Sequence, residues 1–198
     1  MIRLCDETDF GFGWIREEFL RRTSHALVAE GRVWLVDPVD EDGVEETVRA
    51  AGDPAGVIQL LDRHARDCAS LAERLGVPHH VVPRMPVPGA PFEWRVVRDG
   101  RGWREVALWW PEHAVLVCGD ALGTVGYFVT RDERLGVHPL LRPMPPRATF
   151  EGLTPRHVLC GHGEGVHVEA TAALEEALAT ARRRLPRVVA SVATRRRV

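Results

Sequence analysis

The sequence lacks the features that mark a membrane protein, a disulfide-stapled protein or a nucleic-acid-binding protein. No apolar run reaches the roughly 20 residues needed to cross a bilayer, and the N-terminal MIRLCDETDF has no apolar core of the signal-peptide type. The four cysteines are scattered without a C-x-x-C pair, which argues against a disulfide framework or a zinc ribbon. The net charge of -2 offers no electrostatic basis for binding nucleic acid. We therefore expect a cytoplasmic protein whose partner is a small-molecule substrate or ligand.

Length and composition are those of one globular domain. The 198 residues are 45% hydrophobic and 27% charged, which is close to the average for folded proteins and sufficient for one buried core. No internal repeat or low-complexity tract divides the chain. We expect a single domain over residues 1–198.

The most informative stretch runs from Val57 to Leu75 and reads VIQLLDRHARDCASLAERL. Its first five residues form an apolar run of the length of a buried strand, and its last eight repeat apolar residues at helical spacing. The ionisable side chains between strand and helix are Asp62, Arg63, His64, Arg66, Asp67 and Cys68. Since ligands bind at the carboxyl ends of strands in open α/β sheets, we expect a functional site at this junction.

The rest of the chain predicts strands and helices in mixed order. Apolar runs and turn residues predict a hairpin at 24–37, a helix at 43–51, a short strand at 79–82, a hairpin at 94–110, strands at 114–118 and 157–160, and a helix at 169–184. The proline-rich segment 127–155 is a long irregular loop, and such loops are often functional. This order predicts an α/β sandwich of two sheets covered by helices.

Three polar clusters follow three of the apolar strands. Asp67 and Cys68 follow the first, Asp120 follows the second and His162 follows the third. If these strands lie side by side, their polar ends converge. Carboxylate, thiolate and imidazole are donors that a zinc-type metal accepts in tetrahedral geometry.

The same motifs resemble those of the metallo-β-lactamase superfamily. The junction LDRHARDC at 61–68 stands where the family has T-H-x-H-x-D-H, CGDAL at 118–122 is similar to its G-D segment, and LCGHG at 159–163 is similar to its terminal G-H-G turn. The hairpin ending in LVD at 35–37 resembles the family's first strand pair. This resemblance covers nearly the whole chain in the correct order. It implies an αββα sandwich of two mixed sheets flanked by helices, and a metal-dependent hydrolase activity.

The signature departs from the family pattern at its histidines. In the alignment, the first two metal-binding histidines fall on Arg63 and Ala65, the last falls on Cys68, and only Asp67 is retained. No residue matches the family's further histidine, so one of the two metal positions loses its imidazoles. The resemblance then implies a single-metal site with Asp67 and Asp120 as catalytic carboxylates. Its implied ligands are Asp67, Cys68, Asp120 and His162.

Two interpretations of this site stay open. In the first, one zinc, iron or manganese ion activates water for hydrolysis of an ester, thioester, amide or phosphoester, and Arg63 replaces part of the missing positive charge by pairing with Asp67 or Asp120. In the second, Arg63 and Asp67 form a buried ion pair, no metal binds, and the protein is a non-catalytic binding protein that uses the same cleft.

Further side chains are candidates to line the site. His64 is one residue from a ligand position of the family signature. If the alignment is shifted by one residue, His64 points into the site as a base or ligand, and otherwise its side chain points away from the site. Asp62 is a loop cap or a carboxylate that orients His162. His138, in the long loop, replaces a lost ligand, contacts substrate or is a surface histidine.

A tryptophan, a cysteine and an aspartate are the remaining candidates. Alternation along the 103–110 strand places Trp103 and Trp109 on one face and Trp110 on the other, where Trp110 could line a pocket. Cys68, at a helix N-terminus, is a candidate nucleophile because that position lowers a thiol pKa. Asp37, at the end of its strand, resembles the family's buried structural aspartate and is expected to hold a loop.

Overall fold

Two β-sheets face each other between two layers of helices in the computed structural model, which describes residues 2–195. The first sheet has six strands in the order in which they occur in the chain. These are β1 (Arg3–Thr8), β2 (Gly11–Ile15), β3 (Thr23–Ala29), β4 (Arg32–Val36), β5 (Asp53–Gln59) and β6 (His79–Val81). The first four strands pair antiparallel, and β4, β5 and β6 pair parallel.

Helices connect the parallel strands of this sheet. The helix α1 (Val44–Ala51) lies between β4 and β5, and α2 (Cys68–Leu75) lies between β5 and β6. The second helix ends at Gly76, whose left-handed backbone (φ +70°) lets its N–H bond the carbonyls of the last turn. Both connections are crossovers of the kind that parallel strands require, and they bring the loops after β4 and β5 to the same edge of the sheet.

The second sheet has four strands in the order β12-β9-β8-β7. Its strands are β7 (Glu93–Gly100), β8 (Trp103–Trp110), β9 (Val115–Cys118) and β12 (His157–Cys160). Strands β9 and β12 pair parallel with Cys118 opposite Cys160, so the residues that follow them leave the sheet side by side. The short pair β10 (Leu122–Gly123) and β11 (Gly136–Val137) and the helices α3 (Arg147–Phe150) and α4 (Ala170–Arg195) complete the chain.

Apolar residues fill three layers between these elements. One cluster lies between α1, α2 and the first sheet, a second lies between the two sheets, and a third lies between the second sheet and α4. Trp34 and Trp110 are both in the middle cluster and almost fully buried. Both faces of each sheet are thus buried, one against the other sheet and one against helices. This confirms the αββα sandwich that the sequence predicts.

The predicted strands and helices occur close to their predicted positions, with differences at both ends of the chain and in the segment 127–155, which was predicted to be irregular and contains β11 and α3. The sequence patterns do not predict β1 and β2, because RLCDET is mostly polar and GFGWI is short and interrupted by glycine. The final helix extends past residue 184 to Arg195 despite Pro186, and Val188 beyond that proline is fully buried. The helix therefore continues beyond its predicted end and keeps a buried residue on the far side of Pro186. Among the described residues, no helix is both long and apolar enough to span a membrane.

Candidate metal centre

Three side chains from three loops meet at one end of the sandwich: His64, Asp120 and His162. His64 follows β5 of the first sheet, while Asp120 and His162 follow the parallel strands β9 and β12 of the second. Because the carboxyl ends of these strands meet at the same end of the two sheets, residues far apart in the chain become neighbours. The sandwich itself thus creates the cluster.

Two of the three spacings between the ligand atoms are close to those of a tetrahedral metal site. Oδ1 of Asp120 lies 3.1 Å from Nε2 of His64 and 3.1 Å from Nε2 of His162. All three atoms lie within 4.8 Å of one another. In a tetrahedral zinc site with bonds of about 2.0–2.1 Å, neighbouring donor atoms are about 3.3 Å apart. One carboxylate oxygen and two imidazole nitrogens therefore suit a divalent ion, and the donor set fits the metal that the fold implies.

Each imidazole is oriented by a hydrogen bond on its far side. Nδ1 of His64 lies 2.7 Å from Oδ2 of the buried Asp37, and Nδ1 of His162 lies 2.9 Å from the carbonyl oxygen of Leu20. Carboxylate and carbonyl oxygens only accept, so both Nδ1 atoms carry hydrogen and both Nε2 atoms face Asp120. This is the arrangement that holds metal-binding histidines in proteins.

Hydrogen bonds occupy these contacts when no cation does. Nε2 of His64 and Nε2 of His162 each lie 3.1 Å from Oδ1 of Asp120, which is a hydrogen-bonding distance. Burial alone would raise the pKa of Asp120, but hydrogen bonds from His162 and His64 hold it well below its usual range. Burial and Arg66 would lower the pKa of His64, but Asp37 and Asp120 outweigh them and raise it. Metal and protons therefore compete for the same nitrogen atoms.

Arg63 covers the outer side of Asp120. Its NH2 group lies 3.2 Å from Oδ2 of Asp120, its NH1 group donates to the carbonyl of Gly102, and its guanidinium lies 4.3 Å from the ring centre of Trp103. The side chain is 44% exposed, so solvent screens this ion pair. Arg63 thus presents a positive charge at the surface of the site.

A second guanidinium, that of Arg66, lies on the inner side of the cluster. It donates to the carbonyls of Thr23 (2.6 Å), Asp37 (2.7 Å) and Gly161 (2.9 Å), and its NH2 group lies 3.5 Å from Nδ1 of His64. Arg66 has a left-handed backbone (φ +39°) that residues with a β-carbon rarely adopt. That turn points the side chain inward, where it places a fixed positive charge beside His64.

A small cleft opens beside the cluster. Its volume is about 270 Å³, near the lower end of the range for small-molecule sites. The residues that line it are Leu20, Arg63, Asp120, Tyr127, Phe128, His138, Leu140 and His162. One wall is apolar and aromatic, and the other carries the charged cluster.

A buried carboxyl group supports the loop that carries Asp120. Glu105 is fully buried, its Oε1 accepts from the N–H of Ala121 at 2.8 Å, and its Oε2 accepts from the indole N–H of Trp103 at 2.8 Å. Burial, together with the charge of Asp120, raises the pKa of Glu105 to about 7. Glu105 therefore links the Asp120 loop to the aromatic ring that supports Arg63.

Two of the ligands predicted from the sequence lie outside the cluster. Asp67 lies directly before α2, and its carboxylate accepts from the backbone N–H of Asp40. Cys68 is fully buried, with Sγ 3.5 Å from the carbonyl oxygen of His64. Burial raises the pKa of the Cys68 thiol well above its usual range, which disfavours a thiolate ligand or nucleophile. The structure differs from the prediction by a slip of one residue in the junction, and His64 takes the inward position.

The other predicted residues divide into those at the cleft and those away from it. Arg63 and His138 line the cleft, and Arg63 pairs with Asp120. Asp62 instead accepts from the backbone N–H of Arg104. Trp110 faces away from Trp103, as alternation predicts, but it packs between the sheets and lines no part of this cleft.

Sequence patterns missed several residues that build the site. Arg66 was visible as a charge in the junction, but its contact with three distant carbonyls depends on tertiary structure. Glu105 lies on the same face of β8 as the apolar residues Trp103 and Ala107, and this pattern was a signal of a buried carboxylate. Leu20 and Phe128 lie in segments with no motif.

No protein-family model matches the sequence, and no curated protein matches it significantly. Solved structures do match. A metallo-β-lactamase from Pontibacter korlensis superposes with a TM-score of 0.67 at 10% identity, over 91% of this chain and 99% of that one. The metallo-β-lactamase FIM-1 from Pseudomonas aeruginosa, in a mono-zinc form, gives 0.61 at 8% identity over 91% and 96%. A fragment of a putative diflavin flavoprotein A 5 from Nostoc sp. gives 0.64 at 12% identity over 92% and 97%.

The chain therefore has the metallo-β-lactamase fold. At these identities the likeness establishes the fold alone. The His64, Asp120 and His162 cluster at the ends of its strands could hold a metal ion, which is consistent with a hydrolase-like protein.

Proposed function

We propose that this chain is a hydrolase with one divalent metal ion on Nε2 of His64, Oδ1 of Asp120 and Nε2 of His162. The observation that carries the proposal is that these three atoms converge while the far nitrogen of each imidazole is hydrogen-bonded. A bound zinc ion would supply Lewis acidity and lower the pKa of a coordinated water to about 7. Iron and manganese also accept two imidazoles and a carboxylate, and zinc is our choice among them.

The charges around the cluster favour one ion over two. The guanidinium of Arg66 lies 3.5 Å from Nδ1 of His64 and is held by three carbonyl groups. A second dication on that side would face this fixed positive charge at short range. The mono-zinc form of FIM-1, which has the same fold, supports a single-ion centre.

The cleft favours a small substrate with a polar reacting group and an apolar body. Phe128 and Leu140 provide apolar surface in the cleft, and Arg63 provides a cation that attracts negative charge. Such a site suits hydrolysis of an ester, thioester, amide or phosphoester. The volume of about 270 Å³ favours the small members of these classes.

Metal content of designed variants tests the ligand set. We expect about one zinc per chain after loading and gel filtration of the wild type, and less than about 0.1 in Asp120→Asn and His162→Gln. The matched controls are Asp67→Asn and Cys68→Ala, which remove the ligands that the sequence predicted. Both controls should keep their zinc, because their side chains bond elsewhere.

Turnover of p-nitrophenyl esters by the same samples should follow their metal content. Zinc retained by Asp120→Asn but lost from Asp67→Asn or Cys68→Ala would contradict the proposed centre. The loading should be repeated with ferrous and manganous ions, which also tests the choice of metal.

A metal-free binding protein is the second candidate, and one observation favours it. Asp120 already accepts from Arg63, His64 and His162, so its charge is compensated without an ion. If the wild type stays below about 0.1 metal per chain with all three ions, this candidate replaces the hydrolase.

A further inference from the structure

His138 is in the opposite tautomer to the two histidines of the cluster. Its Nδ1 lies 3.1 Å from the backbone nitrogen of Leu140. A backbone N–H only donates, so Nδ1 of His138 carries the lone pair and the proton of the neutral ring is on Nε2. His64 and His162 carry hydrogen on Nδ1, because each Nδ1 faces an acceptor.

The surroundings of the His138 ring keep it neutral and in place. The ring contacts Trp103 (4.8 Å between centres, perpendicular), Tyr127 (5.3 Å) and Phe128 (5.4 Å). Burial among these rings lowers the pKa of His138 to about 4. Its backbone N–H also donates to the carbonyl of Ala121, beside Asp120. The ring is therefore rigidly attached to the loop that carries the proposed metal ligand.

The Nε2–H of His138 is available to a ligand in the cleft. Among the described residues Nε2 of His138 has no hydrogen-bond partner. It is also absent from the side-chain atoms of those residues that are fully buried without a partner, so a ligand can reach it. The residue lines the same cleft as Asp120 and His162. Service as a metal ligand would need a lone pair on Nε2 and would break the bond from Leu140, so this ring is suited to donate.

We propose that Nε2–H of His138 is a catalytic hydrogen-bond donor to the carbonyl oxygen of the substrate. This inference rests on the proposed hydrolase function. Water adds its oxygen to the carbonyl carbon, and the C=O electron pair moves onto the carbonyl oxygen. The growing negative charge on that oxygen is stabilised by the hydrogen bond that Nε2–H of His138 donates to it. When the adduct collapses, the C=O bond re-forms, the bond to the leaving alcohol breaks, and a proton from the water goes to that alcohol. A fixed neutral donor stabilises this charge without reorganisation.

The kinetic test compares His138→Leu with His138→Gln on p-nitrophenyl acetate, using zinc-loaded protein. Removal of an oxyanion donor typically lowers kcat by about 10²–10³-fold, so we expect that loss in His138→Leu with KM within about threefold. Glutamine keeps an N–H at a similar reach, and His138→Gln should stay within about tenfold of the wild type. His80→Leu, on the short strand β6, serves as the control for loss of a histidine.

Two kinetic outcomes and one change in zinc content would overturn the inference. His138→Gln as slow as His138→Leu would indicate a structural role, an unchanged kcat in His138→Leu would exclude catalysis, and lost zinc in either variant would identify a ligand. Circular dichroism of each variant checks that it is folded, and the tautomer measurement below uses only wild-type protein.

A second measurement separates this inference from the proposed function. Proton–nitrogen correlation spectra of the zinc-loaded protein should show the Nε2–H tautomer for His138 and the Nδ1–H tautomer for His64 and His162. Added acetate should shift the Nε2–H signal of His138. If the protein hydrolyses no ester but this signal shifts, the hydrolase proposal fails and the donor assignment stands. An Nδ1–H tautomer or an unshifted signal overturns the donor assignment itself.

Discussion

Replacing Arg142 with methionine should destabilise the protein strongly, because it breaks an ion pair buried beneath the cleft. Arg142 and Glu133 are both fully buried, with NH2 of the arginine 2.9 Å and 3.0 Å from the two carboxylate oxygens. The guanidinium also donates to the carbonyls of Phe128 (2.6 Å) and Val137 (3.0 Å). Methionine matches the length of the side chain but leaves the carboxylate and both carbonyls without this donor.

The expected loss follows from the burial of the carboxylate. Removing one partner of a buried ion pair costs about 3–5 kcal/mol, since the remaining charge is desolvated. Here the carboxylate of Glu133 would keep only Arg184 at 3.6 Å and the N–H and hydroxyl of Thr130. For a chain of this size, each kcal/mol lowers Tm by about 2–4 °C, so Tm should fall by about 6–20 °C. The segment between the two residues also carries His138, so the cleft should loosen with it.

Urea unfolding followed by circular dichroism measures the loss in free energy, and calorimetry measures Tm. The double variant Arg142→Met with Glu133→Leu removes both charges and should recover much of the lost stability. The control is Arg134→Met, which breaks the exposed pair with Glu169 (3.0 Å) and should cost less than about 1 kcal/mol. A fall in Tm no larger for Arg142→Met than for the control would refute the reasoning.

Two further predictions concern stability near the site. The pKa of Glu105 is raised to about 7 from an ordinary value of 4.5. Between these pH values the folded protein holds a proton that the unfolded chain releases. The contribution of Glu105 to the free energy of unfolding therefore falls as pH rises from about 4.5 to 7, by up to about 3 kcal/mol. The free energy of unfolding of Glu105→Gln, measured against wild type across that range without metal, should lack this component, and parallel curves would contradict it. Gly136→Ala should cost about 1–3 kcal/mol, because a β-carbon there would lie 2.2 Å from the carbonyl oxygen of Phe128. Gly100→Ala, with no atom closer than 3.7 Å, should change Tm little, and equal losses in the two variants would argue against the steric explanation.

Local sequence determined the fold class and two of the three cluster residues. Apolar runs ending in polar turns located β5, β9 and β12, and the motifs after β9 and β12 identified Asp120 and His162 as candidates. This works because strand length, turn residues and the polar residue after a strand are all properties of short segments. The order of these motifs also indicated the metallo-β-lactamase fold that the superpositions show.

Only the tertiary structure decided which side chains of the crowded junction face inward. His64, Asp67 and Cys68 lie within five residues. The alignment with the family signature assigned Asp67 and Cys68 as ligands, whereas a shift of that alignment by one residue gives His64 as the ligand and leaves Cys68 in the core. The inward choice depends on Asp37 and Arg66, which contact His64, and on Gly161, where a β-carbon would lie 3.1 Å from the His64 ring. Likewise, the donor role of His138 depends on the backbone N–H to which its ring is bound. Such partners are distant in the chain or set by loop conformation, and no pattern in a short segment encodes them.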